Sequence, residues 1–386
     1  MEKLDLAISC WNCPFGTPLT ILLGNGRGSF TVGEGIPYTG LANYIALGDF
    51  NGDHLPDVAI SGCDSSNNCS IQVFLGQGNG AFTPSATLDY GGGQVVAGDF
   101  NADGHQDLAV LTADLSSNTT GRLAVFLGNG DGTFQSGVVA NQPNAMSLAV
   151  GDFYNNRIQS LALLSQGNYV DTARYSGGEL VFTTPQLANA TEPFSYIAAG
   201  DLNGDFLDDV VLTGGGVADI RTPAPVTSYM LGNGNGTFQS AVTAPAYGEM
   251  GHFPFVRDLN LDGRHDVGIA WDISLEDQGG GASVLLNTNA TTNCDPPKAT
   301  ALTVHICAPA SGQTVDKTFT FRGAGNAFSG IAKRMELWID GQKIGQNLED
   351  QLRVTATLTA GSHTASFVVV DSFDNSVSPS VTFTAR

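Results

Sequence analysis

A nine-residue pattern of acidic and amide side chains, D-x-N-x-D-G-x-x-D, recurs along the chain and could bind a metal ion. In its clearest copy, Asp99, Asn101, Asp103 and Asp107 bring oxygen atoms to one short turn. Three carboxylates with neutral oxygens suit Ca²⁺, a hard ion that prefers oxygen ligands in irregular geometry. The pattern has no Glu at a twelfth position as an EF-hand has, so we expect structural sites rather than a switching sensor. The copies lie at 49–57, 99–107, 201–209 and 258–266, with a degenerate copy at 152–160.

The spacing of these loops predicts a repeat. Their first Asp residues stand at positions 49, 99, 152, 201 and 258, about 50 residues apart. Such a period is typical of a propeller or a solenoid. The degenerate copy has Tyr154, Asn156 and Ser160 at ligand positions and is predicted to be free of metal. Phe206 stands where Gly is favoured for a positive φ, so the third intact loop is expected to be strained.

Strands and turns flank every loop. Apolar runs such as 95–98 and 108–111 precede and follow the loop, which indicates that it joins two strands. A Gly-rich segment follows about 25 residues later and supplies the positive φ values of a tight hairpin. One unit is therefore a four-stranded blade. The Gly-rich segments lie at 23–30, 75–82, 127–134 and 231–238.

We predict six such units with three, four, four, four, four and three strands. Asp5 aligns with Asp57, so the chain opens inside a unit. From this we expect that an upstream part is absent and that the full ring could hold seven blades.

The last part of the chain lacks both the period and the Asp loops. Residues 289–300 have the composition of a linker, with Pro296 and Pro297 stiffening it. Short alternating strands follow, with an Asp340-Gly341 hairpin turn among them. This pattern predicts an immunoglobulin-like β-sandwich. The predicted strands are 302–306, 318–322, 334–339, 352–358, 364–370 and 380–384.

Charge and cysteine content limit the partners and the compartment. The formal net charge of −21, from 16 basic and 37 acidic residues, argues against nucleic acid and anionic membranes as partners. No apolar run is long enough to cross a membrane, and the first residues do not form a signal peptide. The cysteines form three close pairs, which favour disulfides in an oxidising compartment. Free thiols, or a zinc site on 10–13, remain the alternatives. The pairs are Cys10 with Cys13, Cys63 with Cys69, and Cys294 with Cys307.

The motifs resemble a known repeat. The runs 96–110 and 125–134 are similar to the FG-GAP or VCBS repeat of integrin α-chain propellers and bacterial surface proteins. The tail resembles bacterial Ig-like modules. The resemblance implies an all-β protein with an FG-GAP/VCBS β-propeller at 1–288, a linker at 289–300 and an Ig-like β-sandwich at 301–386.

The resemblance also implies calcium in the loops between first and second strands, with about four structural sites. Side-chain oxygens come from the first, third, fifth and ninth loop positions, and a main-chain carbonyl comes from the seventh. The implied ligands are Asp49, Asn51, Asp53, Leu55 and Asp57; Asp99, Asn101, Asp103, His105 and Asp107; Asp201, Asn203, Asp205, Leu207 and Asp209; and Asp258, Asn260, Asp262, Arg264 and Asp266.

Two functions remain in view. The first is a secreted or cell-surface, non-enzymatic calcium propeller for adhesion or recognition, which binds a protein or a glycan at its rim and uses the Ig-like domain as a spacer. The second is a carbohydrate-active protein, either a lectin or a polysaccharide lyase, on the same scaffold. The pair Asp208-Asp209 suggests acid–base chemistry, but Asp209 is a loop ligand and Asp208 is expected to be solvated. Aromatic candidates for the rim, each of which could instead pack between blades, are Trp11, Trp271, Tyr154, Tyr169 and Tyr175.

Overall fold

The computed structural model contains strands and no helices among the residues it describes. None of these residues belongs to a helix that could span a membrane. The described residues are 6–9, 19–25, 29–36, 38, 40–64, 66, 68–112, 121–142, 144–188, 193–214, 226–245, 251–259, 265–272, 280–287, 302–326, 334–347, 351–370 and 375–386.

The repeat region folds into six antiparallel sheets that follow one another along the chain. Their strand numbers, three, then four in the next two, five, four and three, match the predicted units apart from one short extra strand. The strands are β1 (Leu6–Ser9), β2 (Leu19–Gly24), β3 (Phe30–Gly35); β4 (Leu41–Gly48), β5 (Asp57–Cys63), β6 (Cys69–Gly76), β7 (Phe82–Leu88); β8 (Gln94–Gly98), β9 (Asp107–Thr112), β10 (Arg122–Phe126), β11 (Val138–Asn141); β12 (Ala145–Gly151), β13 (Ser160–Ser165), β14 (Tyr169–Ser176), β15 (Glu179–Phe182), β16 (Gln186–Leu187); β17 (Tyr196–Gly200), β18 (Asp209–Gly214), β19 (Val226–Met230), β20 (Val242–Pro245); and β21 (Gly251–Arg257), β22 (Asp266–Asp272), β23 (Gly280–Leu285).

The sheets are the blades of a propeller, because their first strands gather around one axis. Each of β4, β8, β12 and β17 contacts the first strand of the next blade, ending at β21. Tyr44 of β4 and Phe253 of β21, in the second and sixth blades, have ring centroids 6.4 Å apart. The predicted β-propeller is therefore confirmed for the six described blades, while a seventh blade stays a prediction.

The core of the propeller lies between neighbouring blades rather than inside any one blade. Strand β9 illustrates this: Leu108 and Val110 pack towards the second blade, whereas Ala109 and Leu111 pack towards the fourth. All four side chains are buried. Because a middle strand has a blade on each side, its sequence is a continuous apolar run instead of an alternating one.

The turns and one disulfide lie at the positions that the sequence predicts. The Gly-rich segments connect third and fourth strands, and Gly130 and Gly132 have φ values of 75° and 83°. Cys63 and Cys69 form a disulfide at the hairpin of β5 and β6. Cys307 is also disulfide-bonded. Its predicted partner Cys294 lies outside the described residues, as do Cys10, Cys13 and the linker 289–300.

The C-terminal region is a two-sheet sandwich. One sheet has the order β24-β26-β29 and the other β25-β32-β30-β27-β28, with β31 paired to β30. Phe321, Phe367 and Phe383 fill the space between them. The strands are β24 (Thr303–Ala308), β25 (Thr314–Val315), β26 (Thr318–Asn326), β27 (Arg334–Ile339), β28 (Gln342–Asn347), β29 (Gln351–Thr357), β30 (Gly361–Val370), β31 (Ser376–Val377) and β32 (Ser380–Ala385).

The predicted hairpin turn of the sandwich is confirmed, since Asp340 and Gly341 have φ values of 51° and 79° between β27 and β28. Strand β28 itself was not predicted. It is an exposed edge strand with the sequence QKIGQN, so no alternation of polar and apolar residues marks it.

A buried carboxylate ties together β27 and β28. Glu336 accepts hydrogen bonds from Arg334 Nε at 2.9 Å, Trp338 Nε1 at 2.8 Å and Lys343 Nζ at 2.8 Å. Burial alone would raise the pKa of Glu336, but these three donors outweigh it and lower the pKa to about 2.

The Glu336 cluster predicts an acid-sensitive sandwich. Because the folded pKa lies below the ordinary value of 4.5, the stabilisation is complete above that pH and is lost as the pH falls towards 2. We expect Glu336→Gln to lower the free energy of unfolding at pH 7 and to flatten its acid dependence between pH 4.5 and 2, measured by chemical denaturation. Asp316→Asn, at an 81% exposed side chain, is the control. An unchanged acid dependence in Glu336→Gln would contradict this role.

Candidate metal centre

Each Asp loop starts and ends at neighbouring positions of a sheet. In the loop 49–57, Gly48 of β4 pairs with Asp57 of β5. The loops 99–107 and 201–209 are closed by equivalent pairs. Strand pairing therefore brings the first and ninth loop residues together. In the fourth loop, Asn260, Asp262 and Arg264 lie outside the described residues.

The ninth Asp is a buried hydrogen-bond hub. Asp57 is fully buried, and its Oδ2 accepts the Phe50 N–H while its Oδ1 accepts the Gly76 N–H, both at 2.8 Å. It thereby joins the loop, the second strand and the end of the third strand. The same pair of bonds joins Asp107 to Phe100 and Gly128, Asp209 to Leu202 and Gly232, and Asp266 to Leu259 and Asn287.

The earlier acidic and amide side chains shape the loop itself. Asp49 accepts the main-chain N–H groups of Gly52 at 2.8 Å and His54 at 2.9 Å. Asn51 Oδ1 accepts the N–H of Asp53, whose own Oδ1 accepts the N–H two residues further on. These turns bend the chain so that the oxygens lie on the inside of the loop. The loop 99–107 repeats the pattern.

The sixth loop position adopts a left-handed conformation in all three well-described loops. Gly104 has a φ of 86°, which costs glycine little. His54 and Phe206 have φ values of 67° and 68°, a conformation that is uncommon for residues other than glycine. The strain expected at Phe206 is confirmed.

Burial disfavours the charged form of the carboxyl groups at these loops. It raises the pKa of Asp107 and Asp201 to about 6 and that of Asp209 to about 8, and neighbouring carboxylates add to the shift. Burial raises the pKa of Asp57 as well. A bound cation would relieve this repulsion between desolvated carboxylates.

The donor set fits a hard cation, although its side chains are turned towards the backbone. Asp99 Oδ1 is buried and has no hydrogen-bond partner, which leaves one oxygen available at the first ligand position. Across the described part of the chain, no group of three or more His, Cys, Asp or Glu side chains is placed to hold an ion. Binding would therefore require the first and fifth Asp side chains to exchange N–H groups for the cation. The calcium sites stay a prediction.

The eighth loop residue links neighbouring blades, and sequence reasoning missed it. Asp99 N–H donates to Gln159 Oε1 at 2.8 Å, and Asp152 N–H donates to Asp208 Oδ2 at 2.6 Å. Gln159 and Asp208 are both eighth residues of the next loop. The expectation that Asp208 is solvated was therefore wrong: it is half-buried and joins two blades. Gln106 and His265 stand at the same position, so a polar eighth residue was the available signal.

The degenerate loop keeps its shape by other contacts. Asp152 still accepts main-chain N–H groups at 3.1 and 2.8 Å. Ser160 Oγ, in place of the ninth Asp, donates to the Gly151 carbonyl at 2.9 Å. The Tyr154 hydroxyl is 2.8 Å from Thr172 Oγ1, and its ring packs against a core cluster between blades.

The aromatic candidates divide between the core and the surface. Tyr154 and Tyr175 pack against clusters between blades, whereas Tyr169 is 43% exposed. Trp11 and the side chain of Trp271 lie outside the described residues.

The Ig-like domain covers the loop 201–209. Arg353 Nη1 donates to the main-chain carbonyl of Asp205 at 3.0 Å, and the Arg322 guanidinium lies 5.9 Å from the ring centroid of Phe206. Residues 204–206 are half-buried, while the equivalent residues 52–54 and 102–104 are exposed.

This docking explains two unusual features. Arg322 and Arg353 are directly paired across β26 and β29, an arrangement of like charges that is unfavourable unless an acidic partner faces it. The acidic loop 201–209 is such a partner. Phe206 in turn offers the ring that Arg322 covers, a contact that glycine could not make. The Ig-like domain is therefore docked on the propeller, not held apart from it as a spacer.

The raised pKa values predict a metal-free protein that weakens as the pH rises. Since the pKa of Asp209 is about 8 against an ordinary value of 3.8, the folded state binds more protons than the unfolded state between these limits. The free energy of unfolding in EGTA should fall with rising pH by up to about 1.4 kcal/mol per unit for this group. Urea unfolding at pH 5 to 8 measures the slope.

The variant Asp209→Asn should have a shallower slope, and Asp316→Asn, which removes the same charge from an exposed site, should not. Excess Ca²⁺ should also flatten the wild-type slope. If Asp209→Asn kept the full slope, the buried carboxylate would not be its origin.

The docking contacts predict a fixed arrangement of the two domains. We expect the paired change of Arg322→Ala and Arg353→Ala to release the Ig-like domain and to increase the radius of gyration in X-ray scattering. Arg386→Ala, at a 75% exposed side chain, should leave scattering unchanged. Identical curves for all three proteins would mean that the arginine pair does not hold the domains together.

Comparisons with known proteins agree with this architecture. Residues 49–110 match the model of an FG-GAP-like repeat, and residues 303–366 match the model of a bacterial Ig domain. The chain therefore contains an FG-GAP-like repeat in its propeller and a bacterial Ig domain after it. Modules of both kinds are common in extracellular proteins, and such a propeller indicates adhesion or recognition. No curated protein matches the chain.

Solved structures with some likeness include propellers and a β-sandwich protein. The six-bladed lectin of Aleuria aurantia is 11% identical, with a TM-score of 0.42, over 70% of this chain and 89% of the lectin. A mutant of it in complex with α-methyl-L-fucoside is 10% identical, with a TM-score of 0.44, over 74% of this chain and 96% of that one. The fibronectin(III)-like modules of Clostridium thermocellum CbhA are 15% identical, with a TM-score of 0.21, over 46% and 85% of the two chains.

Proposed function

We propose that this protein is a secreted or cell-surface, non-enzymatic recognition or adhesion module whose propeller is stabilised by structural calcium ions. One observation carries the calcium part of the proposal. Buried carboxylates recur at the same loop positions, and Asp99 Oδ1 has no hydrogen-bond partner. Such groups are stabilised by a cation.

The chain's own residues would hold the ion in the loop once Asp99 and Asp103 exchange main-chain N–H groups for it. Asp99, Asn101 and Asp103 lie on the inside of the loop 99–107, and the seventh residue, His105, would add its carbonyl. Asp107 then fixes the loop to the sheet through its two N–H bonds. When bound, the calcium ion supplies the positive charge that the clustered carboxylates lack. The loops 49–57, 201–209 and 258–266 would bind in the same way.

The cysteines support a secreted or cell-surface location. The Cys63–Cys69 disulfide closes a hairpin of the second blade, and Cys307 is bonded as well. Disulfides persist in oxidising compartments and are rare in the cytosol. A propeller that displays its hairpins in such a compartment is suited to binding other molecules.

Calcium titration tests the proposal. With a Kd of ~0.1 mM, which is typical of extracellular modules, ~1 mM Ca²⁺ adds about 1.4 kcal/mol per site. Each occupied site should raise the melting temperature by about 2–4 °C. Asp53→Ala and Asp103→Ala should each remove the part of this rise that comes from one site. Both carboxylates are exposed and bind only the loop or the ion.

The matched control is Asp89→Ala, which removes an exposed carboxylate outside every loop. It should keep the full calcium-dependent rise. A melting temperature that changes with neither Ca²⁺ nor EGTA would refute the metal sites. A rise that survives in both loop variants would place the ion elsewhere.

A further inference from the structure

One peptide group connects the Ig-like domain to the first ligand position of the loop 201–209. It is the peptide between Asp205 and Phe206. Its carbonyl oxygen accepts a hydrogen bond from Arg353 Nη1 at 3.0 Å, and its N–H donates to Asp201 Oδ2 at 2.7 Å. Hydrogen bonds in such a chain polarise and so strengthen one another. The orientation of Asp201 therefore depends on a side chain of the other domain.

The residue that follows this carbonyl is strained, and the Ig-like domain supports it. Phe206 has a φ of 68°, a conformation that a bulky side chain rarely adopts. Gly104, its equivalent in the loop 99–107, adopts the same conformation without strain. The Arg322 guanidinium lies 5.9 Å from the centroid of the Phe206 ring, and Arg353 fixes the peptide before it. Both contacts favour the left-handed turn that directs the loop oxygens inwards.

Arg353 and a cation would use different oxygen atoms of Asp205. The carbonyl oxygen accepts from Arg353, whereas the carboxylate is turned into the loop. There its Oδ1 accepts the Leu207 N–H at 2.9 Å, and its Oδ2 accepts from Asn203 Nδ2 at 3.1 Å. A cation inside the loop and the arginine outside it can therefore be bound at the same time.

Burial and charge both leave room for a cation under the docked domain. Asp205 is half-buried, whereas Asp53 and Asp103, at the same position of their loops, are exposed. Opposite charges attract more strongly where water is excluded. The two arginines do not neutralise the loop, because it contains four carboxylates and keeps a formal charge of −2 beside them. These carboxylates belong to Asp201, Asp205, Asp208 and Asp209.

A second contact holds the domain on the neighbouring loop. Arg157 Nη1 lies so close to Gly345 of β28 that a Cβ atom at this glycine would be 2.6 Å from it. Arg157 belongs to the degenerate loop 152–160, which is predicted to be free of metal. The domain is thus seated on one loop whose contact needs no cation and on one loop that has the full set of ligand residues.

We propose that Arg322 and Arg353 are positioning residues for the calcium site in the loop 201–209, so that calcium binding and docking of the Ig-like domain strengthen each other. This inference rests on the proposed calcium sites. Coupling between two binding events is reciprocal, so docking raises the affinity for Ca²⁺ by the factor by which Ca²⁺ strengthens docking. Calcium at this loop then fixes the angle between the domains, whereas calcium in the exposed loops stabilises blades alone.

The test uses two versions of the full chain, each of which keeps one of the two loops to be compared. Calorimetric titration with Ca²⁺ gives the affinity of each version, and circular dichroism melting checks that it is folded. The version that keeps the loop 201–209 carries Asp53→Ala, Asp103→Ala and Asp262→Ala. The version that keeps the loop 99–107 carries Asp53→Ala, Asp205→Ala and Asp262→Ala.

The decisive variant is Arg353→Ala in both versions. It should lower the calcium affinity of the loop 201–209 about tenfold, within the usual range of coupling between sites, and leave the loop 99–107 unchanged. Adding Phe206→Gly to Arg353→Ala should restore most of the affinity, because glycine adopts the left-handed turn without support. An arginine that only held the domains together would not be rescued in this way. Arg386→Ala, at a 75% exposed side chain, is the control and should change neither affinity.

The reciprocal effect is measured by X-ray scattering on a chain that keeps all its loops. Arg322→Ala weakens docking, and this variant should have a smaller radius of gyration in Ca²⁺ than in EGTA. Adding Asp205→Ala should abolish that difference.

Equal affinities of the loop 201–209 with and without Arg353 would overturn the inference. So would a domain arrangement that does not respond to Ca²⁺ in Arg322→Ala. Calcium binding to the loop 99–107 but not to the loop 201–209 would also overturn this inference and leave the proposed function standing. Absence of calcium binding in both versions would refute the calcium sites themselves, and this inference with them.

Discussion

A buried carboxylate with two main-chain N–H partners is the interaction on which the propeller depends. The ninth Asp of each intact loop joins the start of the loop, the second strand and the end of the third strand. A buried N–H group without an acceptor costs about 1–3 kcal/mol, so each hub protects two such groups. The cost is a desolvated negative charge, which appears as the raised pKa of Asp107 and Asp209. A structural cation is the natural compensation for that charge. The degenerate loop is consistent with this view, because it lost the ligands and also replaced the buried carboxylate with a neutral Ser160.

Two further kinds of contact hold neighbouring blades together, apolar packing and hydrogen bonds between loops. Apolar side chains of each middle strand alternate between the two neighbouring blades, so no blade has a core of its own. At the loop end, the eighth residue of one loop accepts an N–H of the previous loop, as Gln159 and Asp208 do. These bonds connect the loops 99–107, 152–160 and 201–209 in series. Occupation of one loop would be felt by the next through these bonds.

The repeat made much of the fold predictable, because its signals are local and recur in phase. The Asp loops, the Gly-rich turns and the apolar middle strands each depend on residues close in sequence, and the structure places them as expected. Contacts between distant repeats could not be found in that way. Tyr44 and Phe253 look like ordinary strand residues in the sequence, and only the arrangement of the blades brings them together. The docking of Arg353 on Asp205 likewise depends on how two domains meet, which no local pattern encodes.

The two ends of the propeller carry different groups. The loop end carries the carboxylates and, at the loop 201–209, the Ig-like domain. The opposite end carries the Cys63–Cys69 hairpin between β5 and β6. A ligand bound at that end would compete neither with a cation nor with the docked domain. An ion that stiffens the loops would also stiffen the first strands that lead into them, and so reduce the entropy lost when a ligand binds to these blades.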